Sequence, residues 1–271
     1  MSYHTPRGGL PPQTALVTDR AVVKLAYTFI PKGVLRDIVT SRLPGFTRTR
    51  AWILARPTPS SATTFSQLIL EVAPGGGAVR PEMEVGVEGV VFVTAGALAL
   101  TLDGERHVLE PGGYAFLAPG AEWALANDGD EPTSFHWIRK AYEPAEGVGA
   151  PASFVTRDQD VEPRAVPDPD GAWATSRFVD PDDLSHDMHV NIVTFQPGGS
   201  IPFAETHVME HGLYVLQGKA VYRLNDDWVE CEAGDYLLLR AFCPQACYAG
   251  GPEPFRYLLY KDVNRQIRLT P

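Results

Sequence analysis

The sequence predicts an all-β protein with few short helices, folded as two tandem barrels of similar construction. Gly and Pro are abundant, at 25 and 24 of the 271 residues, and they recur between short apolar runs. Short runs separated by turns are typical of β-sandwiches and barrels, and helical periodicity is weak throughout the chain. The runs that we predict to be strands are Ser66–Val72, Val90–Thr94, Ala97–Leu102, Tyr114–Leu117, Asn191–Phe195, Gly212–Leu216, Ala220–Leu224, Tyr236–Leu239 and Tyr257–Tyr260.

An internal repeat is the second observation behind this prediction. Gly96 and Gly112 are sixteen positions apart, and the same spacing separates Gly218 from Gly234. Each interval contains a β-rich run, a turn with Asp or Asn, and a second β-rich run that leads into the closing Gly. A repeated supersecondary unit of this kind predicts two similar β modules.

The two copies place the domain boundary near the middle of the chain. We assign residues 1–150 to an N-terminal barrel with an N-terminal extension, and residues 151–271 to a C-terminal barrel. The stretch 142–170 is rich in Pro, Asp and Glu, which predicts a linker. Within the extension, residues 20–25 are a candidate strand for a neighbouring barrel, whereas the apolar run 33–39 fits either helix or strand.

Charge and cysteine content narrow the class of protein. The formal net charge of −10 argues against a nucleic-acid partner, because phosphate backbones require clustered Lys and Arg. No apolar stretch approaches the roughly 18 residues of a membrane span, and the N-terminus lacks the apolar core of a signal peptide. Three cysteines do not make a disulfide framework, so we expect a reducing, cytoplasmic location. Cys243 and Cys247 are interpreted as small buried apolar residues rather than half of a zinc site.

One segment of the second module concentrates side chains that bind metals. Glu205, His207 and His211 are spaced at two and four residues, so on an extended strand they share a face, while Glu210 points elsewhere. Burying a carboxylate and two imidazoles inside a barrel is costly unless a cation pairs with them. The pattern therefore predicts a divalent metal site, with a water-exposed polar strand edge as the alternative.

The same segment also matches the H-x-x-E-H pattern of inverted zinc peptidases. His207, Glu210 and His211 occupy the three motif positions. That chemistry requires a helix, which would put both histidines on one face. Pro202 before the motif and Gly212 after it disfavour a helix, so we set the peptidase interpretation aside.

The spacing around these residues resembles that of the cupins, whose first motif is G-x5-H-x-H-x3-E-x6-G. The segment from Gly199 to Gly218 keeps this spacing, with Glu205 and His211 exchanged at the outer ligand positions. The second cupin motif places a ligand eleven residues after its Gly, which from Gly234 is Gln245. The Pro and Gly of that motif are replaced by Arg240 and Phe242.

The first module keeps the cupin spacing but loses the ligands. Met83, Val85 and Gly89 stand at the three positions of the first motif, and Trp123 stands at the fourth ligand position. The resemblance therefore implies a metal-free, structural N-terminal barrel.

The mixed N and O donors of the second module suit Mn²⁺, Fe²⁺ or another octahedral ion, with about two of six positions open for substrate. Lys261 ends an apolar run on a strand that should return towards the barrel mouth. Near a cation it is a candidate base; otherwise it is a strand-end lysine in water. Tyr222 and Tyr257 are candidate hydrogen-bond donors to substrate, or aromatic core residues.

The particular variant resembles the (S)-ureidoglycine aminohydrolase family, densely over roughly 185–268 and more loosely over 60–145. A Glu at the first ligand position, a Gln at the fourth and a Lys-Asp-x-Asn-Arg tail are more specific than a general cupin match. The stretches that carry the resemblance are Glu205–Gly212, Leu224–Trp228, Ala233–Asp235, Pro244–Gln245 and Arg256–Arg265.

The resemblance implies a manganese-dependent homo-oligomer of allantoin and purine degradation, which converts (S)-ureidoglycine and water to (S)-ureidoglycolate and ammonia. It further implies that Lys261 transfers protons. Two other interpretations stay open: a different metal cupin such as an Fe²⁺ dioxygenase of a small organic acid, and a barrel that binds a small ligand without catalysis. The implied Mn²⁺ ligands are Glu205, His207, His211 and Gln245, and the implied substrate contacts are Tyr222, Tyr257, Gln245 and Glu205.

Overall fold

The chain folds almost entirely as β-strands. The computed structural model describes residues 21–34, 41–58, 63–165 and 172–262, which form 21 strands, one 3-10 turn at Asp158–Asp160 and no α-helix. The strands are β1 (Val22–Val23), β2 (Tyr27–Ile30), β3 (Phe46–Ala55), β4 (Phe65–Ala78), β5 (Val87–Ala95), β6 (Leu98–Leu102), β7 (Glu105–Leu109), β8 (Gly113–Leu117), β9 (Trp123–Ala126), β10 (Thr133–Ala141), β11 (Phe154–Arg157), β12 (Arg164–Ala165), β13 (Trp173–Arg177), β14 (Met188–Phe195), β15 (Ser200–Glu205), β16 (His211–Gln217), β17 (Lys219–Leu224), β18 (Asp227–Glu232), β19 (Tyr236–Leu239), β20 (Gln245–Tyr248) and β21 (Phe255–Asp262).

The predicted all-β fold and the predicted strands are confirmed. Each predicted run falls on one observed strand: β4, β5, β6, β8, β14, β16, β17, β19 or β21. The run 33–39 lies mostly outside the described residues. None of the described residues forms a helix of the length and apolarity needed to cross a membrane.

The strands form three sheets that close into two barrels. The first barrel is a single nine-stranded sheet in the order β11-β8-β5-β10-β4-β9-β6-β7, with β3 paired to β4. The second barrel combines an eight-stranded sheet, β1-β2-β19-β16-β21-β14-β13-β12, with a four-stranded sheet, β15-β20-β17-β18. The strands of each barrel therefore surround an interior.

The sequence repeat corresponds to the same hairpin in each barrel, β6–β7 and β17–β18. Asp103 and Asn225 begin the two hairpin turns with φ of 50° and 57°, a left-handed conformation that Asp and Asn tolerate. Gly96 and Gly218 precede the hairpins with φ of 71° and 78°. A Cβ on Gly218 would lie 2.4 Å from a backbone oxygen of Pro254, so this repeated position requires glycine.

The two barrels exchange strands. The predicted strand over residues 20–25 contains β1, which lies in the sheet of the second barrel, whereas the pairing of β11 with the first barrel was not predicted. The extension strand β2 pairs with β19 of the second barrel, and β11 pairs with β8 of the first. We predicted a domain boundary at 150/151 and a linker over 142–170. The stretch 142–170 contains two strands, β11 and β12, and β11 pairs with the first barrel although it follows the predicted boundary. The physical reason is that β8 and β19 each have an open edge, which the strand preceding the other barrel covers.

Alternating side chains divide the apolar residues between barrel interiors and an interface. On β5, Val91 and Val93 face the interior of the first barrel, whereas Val90 and Phe92 join the cluster between the barrels. On β14, Val193 and Phe195 likewise face the interior of the second barrel. Because both faces of these strands are buried, apolar residues stand at consecutive positions, as in Val90–Val93 of β5.

The interface brings β16, the strand that follows the candidate metal-binding segment, against the first barrel. Phe65 and Tyr260 stack across it with ring centroids 3.6 Å apart. Gly212 lies beneath them: an added Cβ would be 2.7 Å from the ring of Phe65 and 2.6 Å from the side-chain oxygen of Gln67. The absence of a side chain at Gly212 is what lets β16 approach the first barrel closely.

A buried histidine in this interface makes stability depend on pH. His136 is 1% exposed, its ring lies 4.2 Å from that of Tyr214, and burial lowers its pKa to about 3. The unfolded chain binds a proton at His136 more readily than the folded protein does. The folded protein is therefore most stable above pH 6.5, and it loses stability as the pH falls from 6.5 towards about 3. At 1.36 kcal/mol per pKa unit, the expected loss between pH 7 and pH 5 is about 2 kcal/mol.

We therefore expect the His136→Gln variant to lose about 2 kcal/mol less stability than the unmodified protein between pH 7 and pH 5. Urea unfolding at the two pH values measures the difference, and any constant cost of the substitution cancels. His107→Gln, on the outer hairpin strand β7, should follow the unmodified protein. Equal losses for the unmodified protein and the His136→Gln variant would show that this imidazole is not the titrating group.

Candidate active site

The candidate ligands lie at one end of the second barrel, where its two sheets face each other. Glu205 is the last residue of β15 and is paired directly with Gln245, the first residue of β20. The register of this pair shifts between Ile201 and Glu205, an irregularity of the kind that commonly re-aims side chains next to active sites. His211 is the first residue of β16, in the other sheet.

The three motif residues do not share one extended strand, and this part of our prediction was wrong. The chain leaves β15 after Glu205, bends, and re-enters a strand at His211, so His207 lies in the connection. The segment is not helical either, which is the context that the peptidase motif requires. The cluster forms because the connection joins two facing sheets, which local spacing does not reveal.

Glu210 makes contacts away from the candidate ligands. Its Oε1 accepts hydrogen bonds from the backbone N and the hydroxyl of Thr64, each at 2.6 Å. Thr64 immediately precedes the first barrel's strand β4. Glu210 therefore ties the candidate metal-binding segment, residues 205–211, to the neighbouring barrel.

The loop before β20 positions His207 and explains one departure from the cupin pattern. The backbone N of Phe242 donates to the carbonyl oxygen of His207 at 2.6 Å. Phe242 has a φ of 63°, the left-handed conformation in which glycine is comfortable and a bulky residue is strained. The geometry thus accounts for the Gly usual at this motif position, although this chain carries Phe.

The donor atoms of the motif residues are neighbours. An Oε1 of Glu205 is 3.3 Å from Nε2 of His207, and the rings of His207 and His211 have centroids 5.1 Å apart. Among the residues that the structure describes, no three His, Cys, Asp or Glu side chains converge closely enough to hold an ion as they stand. The oxygen and nitrogen donors are close to one another, but they do not converge on a single position for an ion.

His211 is in the form that binds metals. Its Nδ1 donates to the backbone oxygen of Glu210 at 3.0 Å, because a carbonyl can only accept, and this leaves the lone pair of Nε2 free. Burial lowers the pKa of His211 to about 4, so the imidazole is neutral at pH 7. A ring nitrogen fixed by a backbone carbonyl is the usual support for a metal-binding histidine.

Lys261 lies beside this cluster. On β21 it is the direct partner of His211 on one side and of His189 on the other. Directly paired residues point to the same face of a sheet, so all three side chains face the barrel interior. Burial, followed by the positive charge of Arg177, lowers the pKa of Lys261 below its ordinary value. The water-exposed alternative for this lysine is therefore not what the fold shows.

Tyr222 and Tyr257 meet inside the same barrel. They are 1% and 3% exposed, and the hydroxyl of Tyr222 donates to that of Tyr257 at 3.3 Å. The two rings belong to the interior core of the second barrel, and their hydroxyls meet there. Burial raises the pKa of both phenols, which keeps the hydroxyl hydrogens available for donation.

Three polar residues near Lys261 were missed in the sequence. His189 and Asn191 alternate within the apolar strand β14, and Arg177 on β13 is the direct partner of Asn191. The signal that could have revealed them is the two-residue alternation of polar side chains in an otherwise apolar run. The run that we predicted as a strand begins only at Asn191 and therefore leaves out His189.

The corresponding end of the first barrel is built differently. A cavity of about 430 Å³ lies there, with Met83, Val85 and Trp123 among its lining residues. Arg139 is paired with Gly89, as Lys261 is with His211, but its guanidinium donates to Glu82 at 2.6 Å. At this position of the first barrel, Arg139 and Glu82 therefore form an ion pair.

The three cysteines are buried free thiols. Cys231, Cys243 and Cys247 all belong to the interior core of the second barrel. Burial raises the pKa of each thiol, which suppresses the thiolate form that binds metals. This agrees with the interpretation of Cys243 and Cys247 as apolar residues.

Comparison with known proteins agrees with this architecture. The family model described as Cupin domain matches residues 68–139 and 191–260, one match in each barrel. The (S)-ureidoglycine aminohydrolase of Escherichia coli (strain K12) is 30% identical over 94% of this chain and 95% of its own length. The Arabidopsis thaliana protein of the same name is 30% identical over 84% of this chain and 73% of its own length.

A solved structure from Pseudomonas aeruginosa, whose given name refers to induction by glyoxylate, is 60% identical to this chain. It covers 100% of this chain and 99% of its own, with a TM-score of 0.90. Two barrels in tandem, each matched by the cupin model, define a two-barrel cupin protein. More narrowly, the chain belongs to the (S)-ureidoglycine aminohydrolase family.

Proposed function

We propose that the chain catalyses the metal-dependent hydrolysis of (S)-ureidoglycine to (S)-ureidoglycolate and ammonia. Membership of the family supports the reaction, since three relatives at 30–31% identity carry that activity in their names, one of them as probable. The observation that carries the proposal is the pairing of Lys261 with His211 on the interior face of the second barrel. That register brings a candidate proton carrier next to the candidate metal ligands.

The residues that would hold the metal are Glu205, His207, His211 and Gln245. The shared end of the barrel, the pairing of Glu205 with Gln245 and the neutral imidazole of His211 support this set. Its mixed oxygen and nitrogen donors suit an octahedral divalent ion, for which we propose Mn²⁺. Such an ion, when bound, would orient the substrate and act as a Lewis acid.

The chain's own side chains would handle the protons and the orientation of the substrate. In the overall reaction the C–N bond to the amino group breaks, a C–O bond to water forms, and the proton released by water is carried off with ammonia. Lys261 would move that proton: its pairing with His211 and the burial that favours its neutral form support this role. The hydroxyls of Tyr222 and Tyr257, together with Glu205 and Gln245, would contact the substrate.

The proposal also includes the location of the protein, the role of its first barrel and its oligomeric state. Buried free thiols fit the reducing cytoplasm, where we place the protein. The first barrel would serve as a support, since its contacts reach the strand that carries His211. We also propose a homo-oligomer, with no nucleic-acid or membrane partner.

A coupled assay tests the function. Allantoate amidohydrolase generates ureidoglycine in place, and chiral analysis of ureidoglycolate with an ammonia assay follows the product with Mn²⁺-loaded protein. We expect metal-dependent formation of the (S) product alone. Only the slow racemic background would reject the substrate, and oxygen uptake with small organic acids would then indicate the dioxygenase alternative.

A further inference from the structure

Two side chains on β14 each carry a buried polar atom that has no hydrogen-bond partner among the described residues. His189 is 6% exposed and Asn191 is 3% exposed. Within the described part of the chain, Nε2 of His189 and Oδ1 of Asn191 make no hydrogen bond. A buried polar atom left unpaired costs about 1–3 kcal/mol, so two on one strand require an explanation.

Both side chains point into the second barrel beside Lys261. Val193 and Phe195, which alternate with them along β14, lie in the interior core of that barrel. The intervening Val190 and Ile192 lie in the cluster between the barrels. His189 is the direct partner of Lys261, and Asn191 is the direct partner of Leu259, two residues earlier on β21. The unpaired atoms are therefore next to the proposed catalytic lysine.

The first barrel completes the same row with different side chains. There, Ser66 and Leu68 take the places of His189 and Asn191, opposite Arg139 and Trp137. Arg139 is held by Glu82, and its guanidinium lies 5.0 Å from the ring centroid of Trp137. The second barrel instead keeps an imidazole and an amide, and the described residues leave Nε2 of the imidazole and Oδ1 of the amide without a hydrogen bond.

We propose that His189 and Asn191 form the subsite that recognises the ureido group of the substrate, an inference that rests on the proposed function. A ureido group is planar and carries three N–H donors and one carbonyl acceptor. Its N–H groups would donate to Oδ1 of Asn191. It can also pair with Nε2 of His189 whichever ring nitrogen carries the proton, because it offers both a donor and an acceptor.

Binding of stable analogues tests this subsite without turnover. N-carbamoylglycine contains the ureido group and the carboxylate, whereas 4-oxopentanoate has the same shape with both nitrogens replaced by carbon. Isothermal titration of Mn²⁺-loaded protein should show at least about tenfold tighter binding of N-carbamoylglycine, as expected for a site built around hydrogen bonds. In Asn191→Leu and His189→Leu the preference should fall within about threefold.

The control is a variant of a residue on the opposite face of the same strand. Thr194→Val on β14 should retain the full preference, and urea unfolding should show that both leucine variants fold with unchanged or increased stability. Leucine variants that keep the tenfold preference would overturn the inference, as would equal or absent binding of the two analogues by the unmodified protein.

The subsite and the function fail in different ways. Hydrolysis of ureidoglycine by a protein that does not distinguish the two analogues would overturn the ureido subsite alone. A clear preference that both leucine variants lose, without any hydrolysis, would support the subsite and reject the aminohydrolase reaction.

Discussion

The His207→Ala variant is expected to lose stoichiometric Mn²⁺ binding and to convert ureidoglycine no faster than the unaided reaction. His207 stands between the other donors: its Nε2 is 3.3 Å from the carboxylate of Glu205, and its ring is 5.1 Å from that of His211. Even changes behind a metal ligand cost 10–100-fold in affinity, so loss of a ligand should cost at least about 100-fold. The side chain is 31% exposed, so its removal leaves the core intact.

Metal analysis after dialysis, together with chiral analysis of the product, measures both parts of this expectation. The matched control is His107→Ala, which removes a histidine from an outer hairpin of the first barrel and should keep full metal content and activity. One equivalent of tightly bound Mn²⁺ in His207→Ala, with the (S) product still formed, would remove His207 from the ligand set.

The Lys261→Met variant is expected to keep its metal and lose about 10²–10⁴-fold in turnover, the usual contribution of a positioned acid or base. Methionine fills nearly the same space, so the packing of β21 beside His189 and His211 is retained. Burial lowers the pKa of Lys261, which increases the neutral fraction at a given pH. The rate for the unmodified protein should therefore rise with pH below the range of an ordinary lysine, near 10.4.

Steady-state rates and metal content across pH values test this role. Lys219→Met provides the control, because Lys219 is an exposed lysine of the same barrel that pairs with Glu230 and Glu232. Unchanged turnover in Lys261→Met would exclude proton transfer by this residue. Loss of the metal along with the activity would assign it a structural role in the ligand cluster instead.

The arrangement of the two barrels suggests why a barrel without ligands accompanies the site. The strand that begins at His211 has one face in the proposed site and the other against the first barrel, where Gly212 contacts Phe65. Glu210 accepts two hydrogen bonds from Thr64 in the same region. A ligand whose neighbours are held by a second packed core is positioned more precisely than one on a free edge.

Several features were determined by the sequence alone. Short apolar runs between Gly and Pro predicted the strands, because an extended run of that length needs only local turns to end it. The repeat from Gly96 to Gly112 and from Gly218 to Gly234 predicted two similar modules, since both glycine positions encode the same left-handed turns. The spacing of Glu205, His207, His211 and Gln245 predicted a donor set, because it resembles a known barrel motif; this set stays a prediction.

Other features depended on tertiary structure. Strands β2 and β11 pair with the barrel that they do not precede, and an open edge rather than sequence proximity determines such pairing. Glu205 and His211 come together from two facing sheets, whereas we had placed them on one strand. The alternation of His189 and Asn191 is visible in the sequence, but their unpaired atoms and their register with Lys261 and Leu259 are not, because burial without a partner is a property of the packed molecule and not of a residue type.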